Sequence, residues 1–157
     1  MKIIIASDKS GFHLKEAVKA YLQSSGVSYE DVGTTDVEAP QPFFEAGAKA
    51  AELVSKGEAE RAVLICGTGM GMSQVANLFP GVLAACCESV YAAKMCRAIN
   101  NSNILTMGGW VIGPEMGMEM VKAFLETAHT QDLEPWRQEN LKKAYARMLE
   151  LDAAHRR

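Results

Sequence analysis

Aromatic residues are scarce in this chain of 157 residues, at 7%, and there are only five prolines and four cysteines. No sign of charge dominates, since 16 Lys and Arg stand against 19 Asp and Glu for a net charge of -3. Without a basic excess there is no electrostatic footprint for nucleic acid, which is not expected as a partner. No stretch approaches the roughly 18 apolar residues of a membrane span, and the opening MKIIIASD is too short an apolar run for a signal peptide. No membrane partner and a cytoplasmic location are therefore expected. Cys66, Cys86, Cys87 and Cys96 lack metal-ligand spacing, so reduced thiols and no metal are expected, and the last three read as core residues.

What is present is an ordinary globular balance, 48% hydrophobic and 22% charged, in a length that suits one domain over residues 1–157. Apolar runs alternate with helical periods, the pattern of a parallel sheet covered by helices. Strands are expected at Ile3–Ala6, Tyr29–Val32, Ala62–Cys66, Val82–Cys87 and Ile104–Met107. Helices are expected at about 12–22, 43–55, 67–77, 90–98 and 114–127. The segment GTTDVEAPQP reads as a loop. The expected fold is a three-layer α/β/α Rossmann-like sandwich with a five-stranded parallel sheet. An extra helix at about 134–154 follows no strand and needs its own docking place.

In an open parallel sheet, ligands bind outside the carboxyl ends of the strands, near the point where strand order reverses. The loops Asp8-Lys9-Ser10-Gly11, Cys66-Gly67-Thr68-Gly69-Met70-Gly71 and Gly108-Gly109-Trp110 qualify. Alternate glycines in the second let backbone N–H groups approach an anion. It lacks a Walker lysine and the G-x-G-x-x-G spacing, so it reads as an oxyanion or phosphate cradle, or simply as a tight turn, and not as a nucleotide site. Cys66 stands where a helix start favours an accessible thiolate able to remove a proton. Asp8 suits equally a helix cap and a contact to a substrate hydroxyl or to Lys9. No histidine sits at a strand end for acid-base work.

The segments SDKSGF, LICGTGMGMSQVAN, CRAINNSNILTMGG and VIGPE resemble the family of type B ribose-5-phosphate and galactose-6-phosphate isomerases, in order over roughly residues 1–150. The resemblance implies aldose-ketose isomerisation of a sugar phosphate, with no cofactor, in a homodimer that shares its active sites; whether dimers pair into tetramers is left open. It makes Cys66 the base that moves a proton between C1 and C2 through an enediolate. Thr68 and the amides of Gly67, Gly69 and Gly71 match the oxyanion loop, and Asn100 a substrate-binding asparagine.

The departures bear on the substrate. The family's Asp-His after strand one is Asp8-Lys9, its ring-opening histidine is Ile99, its phosphate arginine after strand five corresponds to Trp110, and its Asp-Tyr-Pro is nearest to Gln41-Pro42-Phe43. Arg137 in the last helix matches a second phosphate arginine and is expected at a neighbour's site, with the helix docked on the dimer partner. Ile99 cannot transfer a proton, which favours a substrate that never cyclises, such as a tetrose or tetrulose phosphate. A pentose or hexose phosphate whose ring is opened with help from Lys9 or a partner-subunit residue, and a non-catalytic sugar-phosphate sensor, are the alternatives.

Overall fold

A computed structural model describes residues 2–156; Met1 and Arg157, the ends of the expected domain, lie outside the described residues. The elements are β1 (Ile3–Ser7), α1 (Phe12–Ser24), β2 (Tyr29–Asp31), α2 (Phe43–Ser55), β3 (Arg61–Cys66), α3 (Met70–Ala76), β4 (Ala84–Cys86), α4 (Val90–Ala98), β5 (Ile104–Gly108), α5 (Pro114–Glu126) and α6 (Pro135–His155). All strand pairs are parallel, in the order β2-β1-β3-β5-β4. Strand order therefore reverses between β1 and β3. The crevice at their carboxyl ends brings the Asp8 and Cys66 loops together.

The central strands are nearly continuous apolar runs because both faces are covered. On one face Ile4, Ala6, Leu64 and Ile104 pack against Ala46, Ala50, Ala51 and Val54 of α2 and Met72 and Ala76 of α3. On the other, Ile5, Val63, Ile65, Leu105 and Met107 pack against Leu14, Val18 and Leu22 of α1 and Met120, Val121 and Phe124 of α5. The expected three layers are present. β4 is shorter than expected because asparagine side chains take the place of the ladder before it. Asn103 Oδ1 accepts from the Leu83 amide and Asn77 Oδ1 from the Ala84 amide, each at 2.8 Å.

α6 buries none of its residues fully. Its far end is tied to the loop between α3 and β4, where Arg156 donates to the Leu78 and Phe79 carbonyls and Asp152 accepts from the Gly81 amide at 2.8 Å. α6 thus lies along the amino-terminal edge of the sheet. Among the described residues no helix is long and apolar enough to cross a membrane.

Lys15 of α1 is 0% exposed. It donates to Asp31 Oδ2 at 2.5 Å and to the Thr34 carbonyl, tying the end of β2 and the loop after it to α1. Gln41 continues the tie, donating from its amide to Thr34 Oγ1 at 3.0 Å and from its side chain to the Gly33 carbonyl at 2.8 Å. Burial pushes the Asp31 carboxyl up, yet hydrogen bonds from Lys15, Lys19 and the Gly33 amide outweigh it and hold the group below its ordinary value. A depressed carboxylate stabilises the fold above its unfolded pKa, about 3.9, and that contribution fades as pH falls through the lower folded value. Asp31→Asn, which leaves the buried Lys15 ammonium only the partly exposed Glu16 carboxylate at 3.6 Å, is expected to cost roughly 1.5–3 kcal/mol at neutral pH. In urea unfolding, the gap between the variant and the parent should narrow on acidification below about pH 4.

Candidate active site

β3 delivers Cys66 to the crevice floor at 5% exposure. The chain then turns through Gly69, whose φ of +81° is the left-handed conformation that glycine adopts without strain. This turn swings the Gly69 amide onto Cys66 Sγ at 3.1 Å, a donor well placed for a thiolate. A side chain at Gly69 would also meet Met107 backbone at 2.8 Å. Because the Gly69 amide serves the sulfur, it is not free to serve an oxyanion as the resemblance implied. Among the described residues the amides of Gly67, Thr68 and Gly71 have no acceptor in the protein, and they are the loop's available donors.

The other loops wall this floor. Asp8 Oδ1 accepts from the Gly11 amide at 2.9 Å, which closes the turn before α1 and leaves the second carboxylate oxygen for a ligand. Asp8 is therefore not the cap of α1, whose N-cap is Gly11 with no side-chain cap, because the carboxylate is spent on closing the turn before the helix. Asp8 and the exposed Lys9 line a cavity of about 310 Å³ with Pro40, Gln41, Pro42 and Phe43. The Phe43 ring lies against Gly71, and the Trp110 ring lies against Gly67, each so close that a Cβ on the glycine would be 2.8 Å from the ring. Trp110 is 74% exposed and Met70 and Phe43 are also exposed, so an apolar rim surrounds the Cys66 loop. Gln41 and Phe43 were legible only as departures from a motif; the loop's length hid that they face Asp8.

Two of the expected site residues lie elsewhere. Asn100 follows α4 and precedes β5, whose first residue pairs with Ala62 at the start of β3. Five strand residues, Arg61 to Ile65, at about 3.3 Å each separate that edge from Cys66. Arg137 is on the same amino-terminal edge, in the first turn of α6. Neither side chain has a hydrogen-bond or ion-pair partner among the described residues. The three expected core cysteines also divide: Cys87 and Cys96 are buried, but Cys86 is exposed. The correction follows from β4 being a short edge strand. Cys86 Sγ lies 3.7 Å from the Thr68 carbonyl, and burial pushes its thiol up.

The family model described as Ribose/Galactose Isomerase matches residues 3–141. The chain is 62% identical over 144 residues to the 4-deoxy-4-sulfo-D-erythrose isomerase of Clostridium sp. (strain MSTE9), covering 92% of this chain and 91% of that one. It is 39% identical over 127 residues to the D-erythrulose-4-phosphate isomerase 2 of Mycolicibacterium smegmatis, covering 80% and 84%. The solved ribose-5-phosphate isomerase B of Clostridium thermocellum superposes with a TM-score of 0.89 at 33% identity, covering 99% of this chain and all of the other.

Proposed function

Because the chain belongs to the ribose/galactose isomerase family and is an aldose-ketose isomerase, we propose that its substrate is an open-chain four-carbon sugar ending in a strong acid, a sulfonate or a phosphate. The observation that carries this reading is Ile99 beside Asn100, where the resemblance sets a proton donor for opening a sugar ring. A tetrose or tetrulose whose C4 carries sulfonate, or whose O4 carries phosphate, has no free oxygen with which to close a furanose. Such a substrate loses nothing when the donor is absent. The two relatives named above, on a sulfotetrose and on a tetrulose phosphate, support it.

In the proposed reaction the Cys66 thiolate takes a proton from C1 of the ketose. The electron pair forms the C1–C2 double bond as the C2 carbonyl becomes an oxyanion, held by the free amides of Gly67, Thr68 and Gly71 with the Thr68 hydroxyl beside them. Delivery to C2 of a proton from the Cys66 thiol, which exchanges with solvent during the life of the enediolate, with transfer of the O1 proton to O2, completes the aldose. Asp8 contacts a substrate hydroxyl and Lys9 the terminal acid. Trp110, Met70 and Phe43 shorten the space beyond the reacting carbons. Asn100 and Arg137 come from a second copy of the chain, the amide to the reacting oxygens and the guanidinium to the acid. A homodimer is part of this proposal, and what supports it is that both side chains stand unpartnered, among the described residues, on the edge opposite their own Cys66.

The test is kcat/KM for 4-deoxy-4-sulfo-erythrulose and erythrulose 4-phosphate against ribose 5-phosphate. The four-carbon acids should be favoured by at least about a hundredfold, the order of one well-placed proton transfer. Ile99→His should give no gain on either. Equal turnover of ribose 5-phosphate, or a gain from Ile99→His on the four-carbon acids, would overturn the reading. No turnover of any sugar acid would mark a binding module.

A further inference from the structure

Asn100 projects from a turn that is held unusually tightly. Arg97, the last basic residue of α4, is 7% exposed and pairs with no carboxylate among the described residues. Its guanidinium donates to the Ser102 carbonyl at 2.6 Å and to the Thr127 carbonyl at 3.4 Å, and lies 5.8 Å from the Phe124 ring centroid. It therefore spans the turn from α4 to β5 and joins it to the segment leaving α5. From that segment the Thr130 amide donates to the Ala98 carbonyl at 2.8 Å. Backbone carbonyls at residues 98 and 102, on either side of Asn100, are thus both gripped.

The turn and its clamp also carry backbone strain. The three non-glycine residues with positive φ among those described are Asn101 at 53°, Thr130 at 64° and Asp132 at 59°. For a β-branched threonine this conformation is a true outlier, and strained residues persist only where surrounding contacts over-determine them. A buried cation spent on two neutral carbonyls is a further cost to the fold, because desolvation is not repaid by an opposite charge. Burial, with Arg61 nearby, pushes the Arg97 guanidinium down to about 10. Both costs fall on the few residues that set the direction of one exposed, unpartnered amide.

We infer that Arg97 is the positioning residue for Asn100, fixing through the Ser102 and Thr127 carbonyls the angle at which the Asn100 amide leaves its own subunit. The inference rests on the proposed entry of Asn100 into a second copy's site. A displaced catalytic contact of this kind costs on the order of a hundredfold in rate. Arg97→Lys keeps the charge and one carbonyl contact but cannot span both.

The experiment is a double-mutant cycle on the intact protein with 4-deoxy-4-sulfo-erythrulose. Arg97→Lys should lower kcat/KM about thirtyfold or more, mostly in kcat, in the parent. In an Asn100→Ala background the same change should cost less than about threefold, because two residues acting through one contact are not additive. Equal losses in both backgrounds would mean that Arg97 merely supports the fold, and would overturn the inference alone. An Asn100→Ala variant with parental activity would overturn it together with the proposed place of Asn100. If Arg97→Lys does not fold, Arg97→Gln, which can reach one of the Ser102 and Thr127 carbonyls but not both, is carried through the same cycle, and additive losses there would count against the inference.

Discussion

Replacing Cys66 with alanine or serine is expected to lower kcat by roughly 10²–10⁴-fold, the contribution of a positioned general base, and by more where the base also carries the proton to C2. The fold should hardly change. Cys66 Sγ is buried at the end of β3 with one polar contact, from the Gly69 amide at 3.1 Å, and a serine oxygen can accept the same bond. Serine is nevertheless far too weak an acid to ionise at neutral pH, so the hydroxyl presents no base. Circular dichroism and the unfolding midpoint should match the parent while turnover is lost. Cys86→Ser is the control, because Cys86 sits on the edge strand and a serine hydroxyl can make the same donation to the Thr68 carbonyl.

Two inactive variants should restore one another. Cys66→Ala removes the base, and Asn100→Ala is expected to lose roughly 10²–10³-fold, as the removal of one oxyanion donor does. When the two are refolded together in equal amounts, half of the dimers formed at random pair one of each, and in a two-fold dimer one of their two sites receives both intact side chains. About a quarter of parental activity should return. A site built within one subunit cannot recover in this way, since every Cys66 would then meet the substituted Asn100 of its own chain. Activity that stays at the level of the unmixed variants would place both residues in the same subunit's site, against five intervening strand residues.

The layers of the fold were open to inspection in the residues. The alanine-rich face of α2 and the span Val90–Ala98 of α4 fall where periodicity puts them, and each expected strand overlaps an observed one. Cys66-Gly67-Thr68-Gly69 stood out because alternate glycines follow a strand-end cysteine, and the left-handed turn at Gly69 that sets its amide on the sulfur became visible only in the structure. The edge on which Asn100 lies was also within reach. It precedes a strand, whereas Asp8, Cys66 and Trp110 follow strands, and in a parallel sheet that difference separates opposite edges. Other features depend on distant partners. Nothing in the local pattern of Lys15 or Arg97 signals a buried cation, since each is satisfied by carbonyls brought in from another loop. Cys86 looked apolar enough for a core, and only the strand order shows that β4 is an edge.

The central claim is that Cys66 moves a proton on a four-carbon sugar acid that is already open, and the destination of hydrogen during turnover tests it most directly. The parent enzyme, converting 4-deoxy-4-sulfo-erythrulose in deuterium oxide, should place deuterium at C2 of the aldose, as read by proton NMR. It should label ribose 5-phosphate at least about a hundredfold more slowly, and Cys66→Ala should label neither. Complete retention of the C1 hydrogen at C2, undiminished labelling by Cys66→Ala, or equal labelling of ribose 5-phosphate would contradict the account.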